Sequence, residues 1–255
     1  MKIATWNVNS LKVRLPHVLD WLSAVQPAAL CLQETKTEDG GFPFEEIEAA
    51  GYRAIHNGQK TYNGVAILAR AEPLDVLRDI PGFDDPQKRM IAATVDGVRI
   101  ICAYMPNGQA VGSDKYEYKL KWLAALADWL ADEIKRYPEL ALLGDFNIAP
   151  DDRDVHDPQV WQGQILCSEA ERAAFGKFLD LGLQDAFRLF DQPEKSFSWW
   201  DYRMMAFRRN QGLRIDHILV SAVLASRCRA CSIDKAPRKL DRPSDHAPVV
   251  TEFVT

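Results

Sequence analysis

The segment A-L-L-G-D-F-N-I-A-P at residues 141–150 sets a short apolar run directly against an acidic and an amide side chain, Asp145 and Asn147. The run is a few residues long and bounded by polar residues, so it predicts a buried strand over 139–145. A carboxylate at the end of a buried strand is costly to desolvate unless a charged partner accompanies it. The segment therefore predicts both a sheet and a polar site at its edge.

The same pattern recurs along the chain. Further apolar strands are predicted over 2–7, 28–33, 64–69, 90–95, 98–104, 213–220 and 247–253. Polar side chains stand at the ends of these runs or within them: Asn7, Glu34, Asp216, Asp245 and His246. Several carboxylates and amides at strand ends indicate a shared cation. Hard oxygen ligands with few histidines favour Mg²⁺, with Mn²⁺ as the alternative.

Helices are predicted between the strands, over 11–25, 115–136 and 169–181, from apolar residues that recur at three- and four-residue steps. Some neighbouring strands have only a short turn between them, such as Asp96-Gly97, which predicts a two-residue hairpin. The pattern therefore predicts an α/β protein with mixed sheets and not a doubly wound parallel sheet. No Gly-, Ser- or Pro-rich linker divides the chain, so residues 1–255 are expected to form a single domain.

The composition is that of an ordinary globular protein, since 47% of the 255 residues are hydrophobic and 26% are charged. The N-terminus shows no signal-peptide pattern, and no run is long and apolar enough to cross a bilayer, so a cytoplasmic protein without membrane contact is expected. The five cysteines are an odd number, and Cys228 and Cys231 have no second ligand pair. Neither a disulfide framework nor a zinc site is therefore expected.

The net charge of −5 by itself disfavours a nucleic-acid partner, but the charge is distributed unevenly along the chain. Residues 200–245 contain ten Lys and Arg against five Asp, a local charge of +5, whereas residues 1–199 carry −9. A polyanion would have to meet the C-terminal part of the chain, and a solvated charged surface is the alternative interpretation.

Seven motifs follow one another in a specific order. They are W-N-V-N-S at 6–10, L-Q-E-T-K at 32–36, N-G-V-A at 63–66, G-D-F-N-I-A-P at 144–150, W-D-Y-R at 200–203, G-L-R-I-D-H-I-L at 212–219 and R-P-S-D-H-A-P at 242–248. Together they resemble the exonuclease III group of the endonuclease/exonuclease/phosphatase superfamily, DNA-repair nucleases that include abasic-site endonucleases. The resemblance spans essentially the whole chain. It implies a four-layer α/β sandwich of the DNase-I-like type, in which two packed mixed β-sheets are flanked by helices.

The resemblance also implies a metal-dependent phosphodiesterase centre where the strand ends of the two sheets meet. Glu34 would be the principal Mg²⁺ ligand, assisted by Asn7 and Asp245. A hard metal can stabilise the departing 3′ oxygen of a phosphodiester, and donors are needed on the equatorial phosphate oxygens.

The remaining catalytic residues take their roles from the same resemblance. Asp145 would hold and deprotonate the attacking water, and Asn147 would orient the water or a phosphate oxygen. His246, held by Asp216, would donate to a non-bridging phosphate oxygen, because a carboxylate beside an imidazole fixes its tautomer and raises its proton affinity. Tyr104 occupies the family position for a tyrosine near the scissile phosphate.

DNA-binding residues are expected in several places. Trp199, Leu213 and Ile215 resemble the family's apolar pocket for a base-less deoxyribose, with ordinary core packing as the alternative. Backbone contacts are expected from Arg203, which follows a group of aromatic residues, and from Lys119 and Asn107. The implied substrate is duplex DNA with abasic sites or with blocked or recessed 3′ ends, and the protein is expected to be a monomer.

One departure from the family pattern concerns the loop before the helix at 169–181. The family usually carries a small residue there, whereas this chain has Leu166. A bulkier side chain is expected to narrow the groove for the strand 3′ of a lesion. Incision at an internal abasic site would then be weakened, while exonuclease, 3′-phosphatase and 3′-phosphodiesterase activities would persist.

Two other functions remain open at the level of sequence. A phosphatase of the same superfamily, acting on a substrate such as an inositol phosphate, would reuse the metal site with a different groove. A binding module that has lost catalysis is the second alternative, although every expected catalytic residue type is present.

Overall fold

The strands of the computed structural model, which describes residues 1–254, form two six-stranded sheets. Sheet A consists of β1 (Lys2–Asn7), β2 (Ala29–Gln33), β3 (Arg53–Asn57), β4 (Val65–Ala69), β11 (Cys228–Ile233) and β12 (Val249–Phe253). Sheet B consists of β5 (Leu74–Arg78), β6 (Met90–Val95), β7 (Val98–Tyr104), β8 (Leu140–Asp145), β9 (Gln184–Asp185) and β10 (Asp216–Val220). The spatial orders are β11-β12-β1-β2-β4-β3 and β5-β6-β7-β8-β10-β9. Both sheets are mixed, because β1 with β2 and β7 with β8 are parallel and the other pairs are antiparallel.

Six α-helices are described within residues 1–254, and four of them cover the outer faces of the sheets: the first two cover sheet A, and the third and fifth cover sheet B. The six are α1 (Leu11–Val25), α2 (Phe44–Ala49), α3 (Asp114–Arg136), α4 (Pro158–Trp161), α5 (Glu169–Asp180) and α6 (Ala222–Arg227). One apolar core joins the two sheets, a second packs sheet A against α1, and a third packs sheet B against α3 and α5. Three cores between four layers confirm the predicted sandwich of two mixed sheets flanked by helices.

Strand periodicity explains how one strand serves two cores. In β1, Ile3 enters the core between the sheets while Ala4 and Trp6 pack toward α1. In β8, Leu143 faces the inner core and Leu142 faces α3 and α5. Successive side chains of a strand point to opposite faces, so strands buried on both faces are almost continuously apolar. This is why the sequence pattern identified them.

The eight predicted strands are all present in the structure, although the segments at 213–220 and 247–253 begin later, at Asp216 and Val249. Four strands were not predicted: β3, β5, β9 and β11. They are the four edge strands of the two sheets. An edge strand has one unpaired side and much exposed surface, so it lacks the continuous apolar run that identified the central strands.

The three predicted helices are confirmed with end points within one residue, and so is the Asp96-Gly97 hairpin, where both residues have positive φ. Among residues 1–254, no helix combines the length and apolar character that a bilayer crossing requires.

Candidate active site

Sheet B brings three predicted catalytic residues into one row. Tyr104, the last residue of β7, pairs in register with Asp145 at the end of β8. Asp145 in turn pairs with Asp216, the first residue of β10. Neighbouring strands lie about 4.8 Å apart, so three residues that are distant in sequence become adjacent across the sheet.

Sheet A contributes the residues that face this row. Asn7 ends β1, and Glu34 follows β2 in a left-handed conformation with φ of 54°. The Asn7 side-chain amide donates to Glu34 Oε1 and to Asp145 Oδ2, both at 2.9 Å, and so joins the two sheets. Tyr104 donates its hydroxyl to Glu34 Oε1 at 3.0 Å. The site therefore lies where strand ends of both sheets meet.

Glu34, Asp145 and His246 form a group that can hold a metal ion, since one ligand atom from each lies within 4.8 Å of the others. The two carboxylates, with the Asn7 amide beside them, suit a hard divalent cation. Burial works against ionisation of Glu34, but the charge of Lys36 and hydrogen bonds from Asn7 and Lys36 keep its pKa below the usual range. Glu34 is therefore held as the anion that a metal site requires.

His246 is held by Asp216. Its Nδ1 lies 2.9 Å from Asp216 Oδ2, which also accepts a hydrogen bond from Ser198 Oγ at 2.6 Å. Burial alone favours the neutral ring, but the charges of Asp216 and Asp145 outweigh it and raise the pKa of His246 to about 10. At neutral pH the ring is therefore an imidazolium whose Nε2 lies 3.7 Å from Asp145 Oδ2.

Asp145 is placed to exchange a proton near neutral pH. Burial raises its pKa to about 7, against the lowering effect of the charge on His246. Its Oδ1 accepts from the backbone N–H of Asn147 at 2.9 Å, in a tight turn where Asn147 has φ of 50°. The Asn147 amide donates to Met105 O and accepts from Asn107 Nδ2 at 3.1 Å. The Asn147 and Asn107 side chains are thus linked to each other beside Asp145.

An apolar wall borders the site. It is a cluster of buried side chains with Trp199 packed against it: Ala149, Val155, Leu166, Cys167, Leu213 and Ile215. Leu213 is fully buried and Ile215 is 2% exposed, so they support Trp199 from behind, whereas Trp199 itself is half-buried. The expected pocket for a base-less sugar therefore has Trp199 as its accessible member.

Leu166 is held in an unusual conformation within this wall. Its φ is 72°, a left-handed value that costs a branched residue on the order of 1 kcal/mol or more. Its N–H donates to Glu171 Oε1 at 3.0 Å, and its carbonyl accepts from Ala149 N at 2.8 Å. A glycine would adopt this backbone without strain.

Asp245 lies outside the group of three potential ligands. Its two carboxylate oxygens accept from Asn9 Nδ2 and from Trp199 Nε1, each at 3.0 Å. It therefore fixes the Trp199 ring beside the site. The expectation that Asp245 is a metal ligand stays a prediction.

Comparison with protein families matches residues 4–246 to the Endonuclease/Exonuclease/phosphatase family. The chain belongs to this family. It is 39% identical to an exodeoxyribonuclease III of Haemophilus influenzae, over 99% of this chain and 100% of the relative. The family resemblance noted in the sequence is thereby confirmed.

Two solved structures of this family share the fold across the whole chain. The 3′ phosphatase NExo from Neisseria, solved with a product DNA hairpin, is 49% identical, with a TM-score of 0.98 and full coverage of both chains. An AP endonuclease from Archaeoglobus fulgidus is 38% identical, with a TM-score of 0.96 and full coverage of both chains.

Lys119 requires a correction. It was expected to contact the DNA backbone from the surface of the long helix, but its side chain is 0% exposed and forms an ion pair with Glu171. The periodicity of a helix predicts which face is buried, but it does not reveal that a lysine on that face has a buried acidic partner. Lys119 is therefore an interior residue of this protein and not a surface contact for DNA.

Arg203 and Asn107 are accessible, as a DNA contact requires. The Arg203 side chain is 84% exposed and pairs with Asp201, at 2.8 Å. Asn107 is exposed and reaches the site through its hydrogen bond to Asn147. Their contact with DNA stays a prediction.

Three residues of the site were not identified from the sequence. Lys36 lies 2.8 Å from Glu34 Oε2, Ser198 Oγ bonds Asp216, and Ser244 Oγ donates to Asn7 O at 2.6 Å. Lys36 and Ser244 stand inside quoted motifs and Ser198 stands two residues before one, each within two residues of a predicted site residue. Proximity to such residues was the available signal, but a hydroxyl or an ammonium in a loop has many possible roles.

Proposed function

We propose that this protein is a metal-dependent phosphodiesterase of DNA repair, of the exonuclease III type, acting mainly on 3′ ends of duplex DNA. The observation that carries the proposal is the convergence of Glu34, Asp145 and His246 with the Asp216 carboxylate behind the imidazole. Hydrolysis of a phosphodiester needs a base for water, donors for the phosphate oxygens and a cation for the developing charge. This group supplies the base and a donor for the phosphate oxygens, and it offers a site for the cation.

Mg²⁺ is the proposed cation, with Mn²⁺ as a substitute. Glu34 and Asn7 would hold it, and Asp245 is a further candidate ligand from the family pattern. When bound, the cation would neutralise charge on the phosphate and on the departing 3′ oxygen. The low pKa of Glu34 supports this role, because a ligand carboxylate must stay ionised.

The side chains of the protein perform the proton transfers and the orientation. Asp145 takes a proton from the attacking water, and its carboxylate is oriented by the Asn7 amide and the Asn147 N–H. His246 donates from Nε2 to a non-bridging phosphate oxygen while Asp216 holds Nδ1. Tyr104, which pairs in register with Asp145, and Asn147, whose N–H bonds Asp145, position the phosphate.

Duplex DNA is the proposed substrate class. The Haemophilus relative is named an exodeoxyribonuclease, and the Neisseria structure contains a product DNA hairpin. The local charge of +5 over residues 200–245 and the exposed Arg203 are consistent with a phosphate backbone beside Trp199. The alternative inositol-phosphate substrate has no comparable support.

Leu166 favours 3′-end processing over incision within a continuous strand. It stands in the wall next to Ala149 and Ile215, in a backbone conformation that suits glycine. Its side chain is 5% exposed and would fill the space in the wall that the nucleotide after an internal abasic site needs, whereas a 3′ end has no such nucleotide. Incision at abasic sites is the second activity, supported by the similarity to the Archaeoglobus AP endonuclease.

We further propose a single-domain, cytoplasmic monomer over residues 1–255. Strand β1 at one end of the chain pairs with β12 at the other, which supports one folding unit. All proposed catalytic residues come from one copy of the chain, so the reaction needs no second copy.

The experiment that tests the proposal compares two labelled duplexes, one with an internal abasic analogue and one nicked with a 3′-phosphate. Each is incubated with Mg²⁺ and with EDTA, and Asp145→Asn serves as the inactive control. Faster metal-dependent processing of the 3′-phosphate supports the proposal, and faster incision of the abasic duplex would reverse the order of the two activities. Cleavage of neither, with release of phosphate from an inositol phosphate, would overturn it.

A further inference from the structure

A buried ion pair lies directly behind the catalytic loop. Lys119 on α3 and Glu171 on α5 are both 0% exposed and are in direct contact. Desolvating two charges costs several kcal/mol per ion, and apolar residues of similar volume often serve stability as well or better. The position of this pair therefore invites an explanation other than stability.

The Lys119 ammonium is fully used by three acceptors. Besides Glu171, it donates to Asn147 O at 2.7 Å and to Asn107 O at 3.1 Å. An ammonium has three N–H donors, so none is left over. Asn147 and Asn107 are also the two residues whose side chains bond each other in the site. One charged group thus holds the backbone of both.

Glu171 extends the same network to the wall of the groove. Its Oε1 accepts from Leu166 N at 3.0 Å, and its Oε2 accepts from Ser168 N and Ser168 Oγ. The network therefore connects three loops that border the site, at residues 105–108, 145–149 and 166–168. In a packed interior, a displaced partner shifts the groups bonded to it.

We propose that the Lys119–Glu171 pair is a positioning element that sets the Asn147 and Asn107 side chains against the phosphate. It acts through backbone carbonyls and touches no substrate itself. The inference rests on the proposed phosphodiesterase function, because Asn147 must take part in that reaction for its placement to matter.

The same helix contains a matched control. At the other end of α3, Glu133 pairs with Arg99 at 2.7 Å, and the two side chains are 2% and 3% exposed. Arg99 donates to Asp75 O and contacts the Tyr137 ring, and none of these residues belongs to the site. Both are buried Lys/Arg–Glu pairs with one member on α3, but only the Lys119–Glu171 pair bonds the loop that contains Asn147.

The test replaces each pair by apolar residues, as Lys119→Met with Glu171→Leu and as Arg99→Met with Glu133→Leu. Thermal unfolding is measured first, and kcat and KM are then measured on the 3′-phosphate duplex well below each melting temperature. We expect the first double variant to lose between about tenfold and a hundredfold in kcat with little change in KM, because small misplacements have effects of this size. The second is expected to keep kcat within about twofold of the wild type, since it touches no residue of the site.

Retention of wild-type kcat by the Lys119/Glu171 variant, or an equal loss in the Arg99/Glu133 variant, would overturn the inference. If the first double variant does not fold, Glu171→Gln decides, because it preserves the shape of the side chain and removes the charge. A severalfold lower kcat with an unchanged melting temperature supports positioning, and an unchanged kcat overturns it. The wild type is assayed in parallel, so a failure of the proposed function appears separately as a wild type that does not cleave.

Discussion

Two parts of the molecule border the same site but are held in different ways. One is the buried group of Asp145, Asp216 and His246, and the other is the segment at residues 199–205. Asp145, Asp216 and His246 are at most 4% exposed, and each has at least two polar partners. In the segment, by contrast, Met204 is 75% exposed, and Arg203 is 84% exposed and pairs with its near neighbour Asp201. The predicted catalytic side chains are therefore built into the interior, while the predicted substrate contact in this segment, Arg203, is an exposed side chain.

The comparison predicts that damage to the buried group has the largest effect. We expect His246→Asn to lower kcat by about 100- to 1,000-fold with the fold intact, because a preorganised donor to the phosphate is lost. Steady-state kinetics on the 3′-phosphate duplex measures this, and His17→Asn, on α1 away from the site, is the control. A His246→Asn enzyme within tenfold of wild type would show that the imidazolium is not needed.

A substitution at the boundary of the two regions should change substrate choice without changing the chemistry. We expect Leu166→Gly to raise incision of the internal abasic duplex by severalfold and to leave 3′-phosphate release unchanged. The glycine removes side-chain bulk at a position where φ is 72°.

Gln26→Gly is the matched control for Leu166→Gly, because Gln26 at the end of α1 also has positive φ, at 51°, and lies far from the groove. If Gln26→Gly raises abasic-site incision equally, the effect comes from relief of backbone strain and not from the groove. If Leu166→Gly does not raise abasic-site incision, Leu166 does not restrict the groove.

Within the exposed segment the effect should be small and dependent on salt. We expect Arg203→Ala to raise KM for duplex DNA by about two- to fivefold at low salt, with the difference disappearing at high salt, since one phosphate contact is lost. Arg153→Ala is the control, because Arg153 is also exposed and pairs with an aspartate two residues earlier. An unchanged KM at low salt would place Arg203 outside the DNA contact.

The last effect concerns a histidine that supports the buried group, and it appears in stability and not in activity. His217 is 0% exposed, lies 2.9 Å from Ile148 O through Nε2, and has Arg214 at Nδ1. Burial and the charge of Arg214 lower its pKa to about 4 from 6.5. Between those pH values the unfolded chain binds more protons, so this histidine makes the protein lose stability as the pH falls.

We therefore expect His217→Gln to flatten the decline in unfolding free energy between pH 7 and pH 5, by about 1 to 3 kcal/mol relative to wild type. Urea unfolding at several pH values measures it. Parallel curves for the two proteins would mean that His217 does not titrate in this range.

The sequence by itself determined the central strands and the three long helices, and it identified most of the polar residues that meet at the strand ends. Strands buried on both faces must be apolar, and a carboxylate placed at their ends has few reasons to be there except chemistry, so Asp145 and Glu34 were identifiable. The family motifs added roles to these positions. Edge strands such as β5 and β11 could not be predicted from the sequence, because their exposed residues need no apolar pattern.

Only the tertiary structure decided which side chains meet. The register of β7, β8 and β10 brings Tyr104, Asp145 and Asp216 into one row, and this register depends on pairing between segments that are distant in the sequence. Lys119 was assigned to the surface because its helix pattern cannot show that α5 brings Glu171 to it. A sequence states the chemical type and local conformation of each residue, but hydrogen bonds and ion pairs depend on distances that exist only after distant segments have packed together.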